Sequence, residues 1–308
     1  MGSIHRLLQE RGREAALAAE SDRRVVEAAA AYLSDEESSI GYLYSGWCQA
    51  ALPHKKLRDD QAWQITSERV KLLVEPGRRS TDIGEPTWVG VPYGSRARLI
   101  LIYLQTQALK TQSRDIELGR SLRCWLGRLG ISVGGKSFRD VREQADRISR
   151  CRLTFHAVSN GGTKAGLVNQ NIVDTAMFVA GDDPAQGSLF VDTVRLSEMF
   201  FEQLRRHPVP LEDAAIKAIN NNSLALDIYC WLAYRLHVLP SSKSITWKAI
   251  YMQFGTAYKE QFHFKPRFIE SLKLALAVYP EANVDMDDRG IVLQPSRPPV
   301  VPRLLSVR

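Results

Sequence analysis

Twice along this 308-residue chain a helix that is apolar on almost every side is followed by the same run of shorter segments. That order constrains the fold more than any single motif does. In the first run Ser95 can cap a helix reaching about Gln112, and Leu99, Ile100, Leu101, Ile102, Tyr103 and Leu104 leave it no polar face, so it must be buried on most sides. Ser113 to Leu118 alternates like a short strand. Ser121 to Leu129 repeats Leu122, Trp125, Leu126 and Leu129 at helical spacing, and Gly130 is placed as its stop. Ser137 opens another helix, with Phe138, Val141, Ala145 and Ile148 on one side. Leu153, Phe155 and Ala157 then alternate with polar positions, Asn160-Gly161-Gly162 turns the chain, and Leu167 to Val179 returns in β-type sequence.

The second run repeats the plan with weak internal similarity. Ala225 to Val238 is an apolar, aromatic helix, Ser244 to Trp247 a short strand, and Lys248 to Phe254 a helix stopped by Gly255. Pro266 fits the first turn of a helix burying Phe268, Ile269, Leu272 and Leu276. Asn283 to Leu293 reads as a hairpin turned at Asp287-Asp288-Arg289-Gly290. Helix, strand, helix, turn, helix, hairpin is the order of a winged helix-turn-helix. The expected class is therefore α+β, with two tandem winged-helix domains and a helical N-terminal extension. The expected boundaries are residues 1–51 for the extension, 52–210 for the first unit with its leading strands, 211–294 for the second, and 295–308 for a flexible, Pro-rich basic tail. Within the first 51 residues Leu7 to Leu33 favours helix, with Ser21 and Asp22 able to restart it. Trp63, Ile65, Val70, Leu72 and Val74 have strand character, and Arg78 to Pro86 reads as a polar loop.

Charge narrows the function. Lys and Arg total 41 against 34 Asp and Glu, giving a net charge of +7 and a pI of about 9.3, which favours polyanionic partners. On the helix from Ser137, Lys136, Arg139, Asp140, Glu143 and Arg147 fall away from the apolar side, and Ser137 and Arg142 are counted with them as DNA contacts. Arg can read guanine and a carboxylate the cytosine amino group, so this face suits major-groove base edges. The rival reading is a solvated amphipathic helix with Arg139–Glu143 and Glu143–Arg147 surface pairs. Lys164, at the tip of the following hairpin, is placed to meet a phosphate. By position, Lys265, Arg267, Glu270 and Lys273 are the corresponding contacts of the second unit.

Other chemistry is thin, and no catalytic residue, cofactor or metal site is expected. Cys48, Cys124, Cys151 and Cys230 form no Cys-x-x-Cys pair. No His-x-His or His-Glu-x-x-His occurs. Asp285 to Gly290 starts like an EF-hand loop, but Ser296 stands where the bidentate Glu belongs. Gly130-Ile131-Ser132-Val133-Gly134-Gly135-Lys136-Ser137 satisfies the Walker A pattern, which would make Lys136 and Ser137 phosphate ligands of a nucleotide hydrolase. A P-loop must follow a strand, however, and Ser121 to Leu129 is helical in pattern. The longest apolar run, Leu99 to Leu104, is too short to span a bilayer, and a cytoplasmic location is expected.

Several blocks resemble the plasmid RepA-type replication initiators. Val91-Pro92-Tyr93-Gly94-Ser95-Arg96-Ala97-Arg98-Leu99 and Ser113-Arg114-Asp115-Ile116-Glu117-Leu118-Gly119-Arg120-Ser121-Leu122 carry most of it. Gly134-Gly135-Lys136 and Arg142 to Arg147 resemble the next segments of that family. Leu52-Pro53-His54 and Leu72 to Gly77 are similar upstream, and His207 to Pro210, Leu226 to Leu236 and Gln253-Phe254-Gly255 downstream. The resemblance runs from about Leu52 to Pro295 and leaves the leading helix before Leu33 uncovered. It implies a protein that binds repeated double-stranded sites at a plasmid origin, helps open the duplex and recruits the host initiator and replicative helicase. It also implies a switch between a homodimer and a DNA-binding monomer. A transcriptional repressor with the same fold is the alternative.

Overall fold

The computed structural model describes residues 3–20, 22–37, 39–67, 70–81, 83–157, 166–175, 177–180, 188–190, 192–256 and 258–301. Two helices lead, α1 (Ser3–Ala19) and α2 (Arg23–Leu33). Gly12 bends α1 with a φ of 76°, which glycine alone adopts without strain. Asp22 caps α2 by accepting from the Arg24 amide at 3.0 Å, as expected; Ser21 lies outside the described residues. Strand β1 (Ile40–Tyr44) and the short helix α3 (Ser45–Gln49) come next, then β2 (Trp63–Thr66) and β3 (Val70–Glu75). The stretch read as a polar loop is instead a hairpin of β4 (Gly77–Arg79) and β5 (Thr87–Gly90). Its breakers explain the difference, because Gly84 and Pro86 lie in the connection rather than in either strand.

Helix α4 (Gly94–Thr111) is buried along most of its length, as its lack of a polar face requires. After it come β6 (Asp115–Glu117), α5 (Leu122–Arg128, capped by Ser121) and α6 (Gly135–Arg150), which starts two residues before Ser137. Strands β7 (Arg152–Ala157), β8 (Gly166–Asn171), β9 (Phe178–Ala180), β10 (Ser188–Phe190) and β11 (Thr193–Arg195) lead to α7 (Glu198–Arg206), β12 (Pro208–Glu212) and α8 (Asp213–Ala218). The second apolar helix is α9 (Ser223–Arg235). It is followed by β13 (Lys243–Thr246), α10 (Trp247–Phe254), α11 (Gln261–Ala277), β14 (Val284–Met286) and β15 (Gly290–Leu293). Helix α11 begins five residues ahead of Pro266, whose missing N–H falls in the exposed opening turns beside Phe262 and costs the core nothing.

The class is α+β. Strands β2, β3, β7 and β8 form one antiparallel sheet, with Leu72 opposite both Ile65 and Phe155. Strand β6 pairs with β11 rather than with the β7–β8 hairpin, and β1 pairs with β12. In the second run β15 lies between β13 and β14. The first residues after Pro295 are held, not free, and the expected tail beyond Val301 lies outside the described residues. The Ser296 amide donates to the Leu236 carbonyl at 3.3 Å, and the Tyr279 hydroxyl donates to the Arg297 carbonyl at 2.7 Å. Among the described residues no helix is long and apolar enough to cross a membrane.

Helices α4 and α9 are joined by an ion pair inside the core. Arg98 donates from Nε and Nη2 to the two carboxylate oxygens of Asp227 at 2.7 and 2.6 Å. Its remaining donors meet the carbonyls of Leu52 (2.7 Å), Gly94 (2.8 Å) and Pro53 (3.3 Å). Burial pushes the Asp227 carboxyl above the ordinary carboxylate value, and the guanidinium works against that shift. His54 Nδ1 lies 3.4 Å from Arg98 Nη2 and 3.0 Å from Ser223 Oγ. The five Arg98 N–H groups are already taken by Asp227 and the three carbonyls, so the hydrogen-bond partner of Nδ1 is the Ser223 hydroxyl. Burial, with the guanidinium beside it, holds His54 well below the usual histidine range.

Replacing Asp227 with Ala leaves a buried guanidinium without its counter-ion, and urea unfolding should register a loss of about 3–5 kcal/mol. The depressed His54 value also sets a sign. Below about pH 6.5 the unfolded chain binds a proton at this position that the folded chain refuses, so stability falls as pH falls. Urea midpoints compared at pH 7.5 and 5.5 should drop more for the wild type than for His54→Gln.

Candidate nucleic-acid interface

Helix α6 has two sides of different use. Val141, Ala145 and Ile148 are fully buried, and Gln144 lies with them, accepting from the Tyr93 amide at 2.8 Å. On the opposite side Lys136, Arg139 and Arg142 are exposed, with Asp140 and Glu143 half-buried beside them, whereas Ser137 is half-buried on the same side as Gln144 and Ile148. At 100° per residue Lys136 and Arg142 stand about 60° to either side of Arg139, so the three cations fan across one face of the first two turns. Among the described residues no ion pair holds Lys136 or Arg139. Glu143 is met by Lys56 at 3.6 Å, a cation the sequence pattern did not single out.

Arg147 does not share that face. It is 3% exposed, and its guanidinium reaches Asp59 at 2.8 Å, the Val91 carbonyl at 3.1 Å and Glu143 at 3.0 Å while lying over the Tyr93 ring. The helical wheel put it on the polar side because a guanidinium whose donors are all met can be buried there. Its fit is close. Gly90, with φ +81°, approaches so near that a Cβ would stand 2.0 Å from Arg147 Nη1. Arg147 is thus a strut fixing α6 to the Val91–Tyr93 segment.

The β4–β5 hairpin is pinned to the last turns of α6. Arg79 pairs with Asp146, which Arg150 also meets at 2.7 Å, and Arg150 donates to the Arg78 carbonyl at 3.2 Å. Arg78 lies flat on Trp88, 4.0 Å from the ring centre. Neither residue was among the expected contacts, although an Arg-Arg pair and a tryptophan flanking one short connection were visible in the sequence. Lys164 lies outside the described residues.

The second set of expected contacts divides as well. On α11, Arg267 is exposed and Lys265 sits 4.7 Å over the Trp247 ring. Glu270 and Lys273 instead face the extension: Arg24 reaches Glu270 at 3.4 Å, and Lys273 reaches Glu20 at 3.4 Å. His5 on α1 adds a 2.8 Å contact to the Ala277 carbonyl. The leading helices therefore clasp the back half of α11 and leave its first turns open. The Gly130–Ser137 segment comes after helix α5, so the strand that a P-loop requires before its phosphate amides is not there.

The family model described as plasmid encoded RepA protein matches residues 91–250, just over half of the chain, from the segment braced by Arg147 into α10. Among solved structures the chain is similar to selenomethionine derivatives of domain 2 and domain 3 of RctB, at 12% identity and a TM-score of 0.52, covering 82% of this chain and 98% of that one. A second structure, RctB domains 2-3, gives a TM-score of 0.47 at 12% identity, covering 80% and 93%. At such identity the first likeness speaks for the fold alone. No curated relative matches.

The two sides of α6 should separate experimentally. Arg147→Ala strands the Val91 carbonyl and two carboxylates, and urea unfolding should show a loss of about 1–3 kcal/mol. Arg139→Ala removes an exposed side chain and should stay within about 0.5 kcal/mol of the wild type.

Proposed function

The chain belongs to the plasmid encoded RepA protein family, and from that premise we propose that it initiates plasmid replication by binding repeated double-stranded sites at the plasmid origin. The observation that carries this reading is the open half of α6. Lys136, Arg139 and Arg142 are exposed on one face beside Asp140 and Glu143, while Arg147 and Gln144 fix the helix from behind. Cations interleaved with acceptors suit the mixed donor and acceptor pattern of base edges in the major groove, and the cations also draw the phosphate backbone.

Both runs of elements act as winged helices in this reading. In the second, α9, β13, α10 and α11 are followed by the β14–β15 hairpin, with β13 paired to β15, and α11 offers Lys265 and Arg267 to a second groove. In the first, α6 is the reading helix and β7–β8 the wing. Two reading helices on one chain suit sites of about two helical turns. The protein works by binding, with no catalytic step or cofactor of its own, in the cytoplasm. Opening of the duplex, recruitment of the host initiator and helicase, and a homodimer that gives way to a binding monomer complete the proposal.

Fluorescence anisotropy with the parent plasmid's origin repeats tests it. Arg139→Ala and Arg142→Ala should each cost about 1–3 kcal/mol if they read bases. A phosphate contact should instead weaken all duplexes alike and lower the salt slope by about one. Wild-type affinity and slope in both variants would remove α6 from the interface. Deleting the gene separates initiation from repression, since a repressor alone would leave the plasmid able to replicate.

A further inference from the structure

The β4–β5 hairpin occupies a telling place on α6. Arg139, Glu143, Asp146 and Arg150 lie within about 60° of one another around the helix axis, so they form one stripe along it. The first half of that stripe is open. The second half is covered by the hairpin, through Arg79 on Asp146 and Arg150 on the Arg78 carbonyl. Gly77 is pressed so close that a Cβ would stand 2.2 Å from the Arg150 carbonyl oxygen. The hairpin is therefore a fixed continuation of the α6 face, beginning at Asp146 about 10 Å along the helix from Arg139 and placing Arg78 against Arg150 about 16 Å along, at 1.5 Å per residue.

Its exposed side has a defined chemistry. Five of the six tryptophans are at most 8% exposed, while Trp88 is 41% exposed. Arg78 stacks on it through its face. A guanidinium held over a ring face keeps its N–H donors available to other partners. Among the described residues no hydrogen bond or ion pair engages the Arg78 side chain. A cation held in orientation by an aromatic ring, with its donors unmet, is built to receive an anion.

We propose that this hairpin is a second contact to the same duplex, in which Arg78, oriented by Trp88, binds the phosphate backbone bordering the groove that α6 enters. A helix open only over its first two turns enters the groove by that end. Arg78, about 16 Å further along, lies beyond a major groove about 12 Å wide, over the bordering strand. The proposal rests on the reading of α6 as a DNA-contacting helix.

The test uses the full chain with a single origin repeat and with a scrambled duplex, each titrated with salt. Arg78→Ala should weaken both duplexes several-fold and alike, and reduce the salt slope by about one. Trp88→Ala should do the same by releasing the guanidinium, while Trp88→Phe should retain most of the affinity. Iodide quenching of tryptophan emission should fall when DNA is added to the wild type, and Trp88→Phe should lack the quenchable component. Unchanged melting temperatures certify the folds. Wild-type affinity, salt slope and iodide quenching in the presence of DNA would overturn the hairpin assignment and leave α6 standing. A wild-type chain that binds no duplex would overturn both.

Discussion

One guanidinium holds the two halves of this protein together. Arg98 on α4 directs its donors to both oxygens of Asp227 on α9 and to three backbone carbonyls, those of Leu52, Pro53 and Gly94. Each partner sits in a segment that resembles the family's shared blocks, so stretches far apart in sequence meet around a single charge. A buried ion pair adds little net stability compared with apolar side chains, because desolvation offsets attraction. Its effect is on choice: a packing of α4 on α9 that parted the two groups would leave each charge buried and unpaired. His54, kept neutral beside the guanidinium, closes the same arrangement from the third side.

The candidate interface is built outward from that centre. The chain leaving Gly90 runs directly into the Val91–Tyr93 segment and then into α4, and this segment receives Arg147 and Gln144 from α6. The orientation of α6 is thereby tied to the helix that carries Arg98. The second unit depends on a different support. There the back half of α11 is held by the leading helices through Glu20, Arg24 and His5. The extension, which the family model does not reach, acts as a brace for that helix.

Much of this was legible in the residues. Leu99 to Leu104 leave α4 no polar side, and the structure buries it; Asp22 caps α2 as expected, whereas Ser95 lies inside α4, because the cap position is Tyr93, one residue before Gly94 opens the helix. What the pattern could not supply was long-range pairing. Arg147 falls on the polar side of a helical wheel, yet Asp59 and a backbone carbonyl 56 residues earlier in the sequence draw it inside. Glu270 and Lys273 look solvated until α1 and α2 return against them from about 250 residues away. The β4–β5 hairpin was hidden because Gly and Pro mark the ends of hairpins as well as loops. Pairing partners, rather than local preference, decided between the two.

The division of α6 has a consequence for how such proteins diversify. The residues that fix the helix and those that face outward are almost disjoint sets on one short segment. Lys136, Arg139 and Arg142 can be exchanged without disturbing Val141, Gln144, Ala145 or Arg147. If α6 reads DNA as proposed, a lineage can change the sequence it recognises while inheriting its scaffold intact, and related replicons can share a cell without answering to each other's initiator.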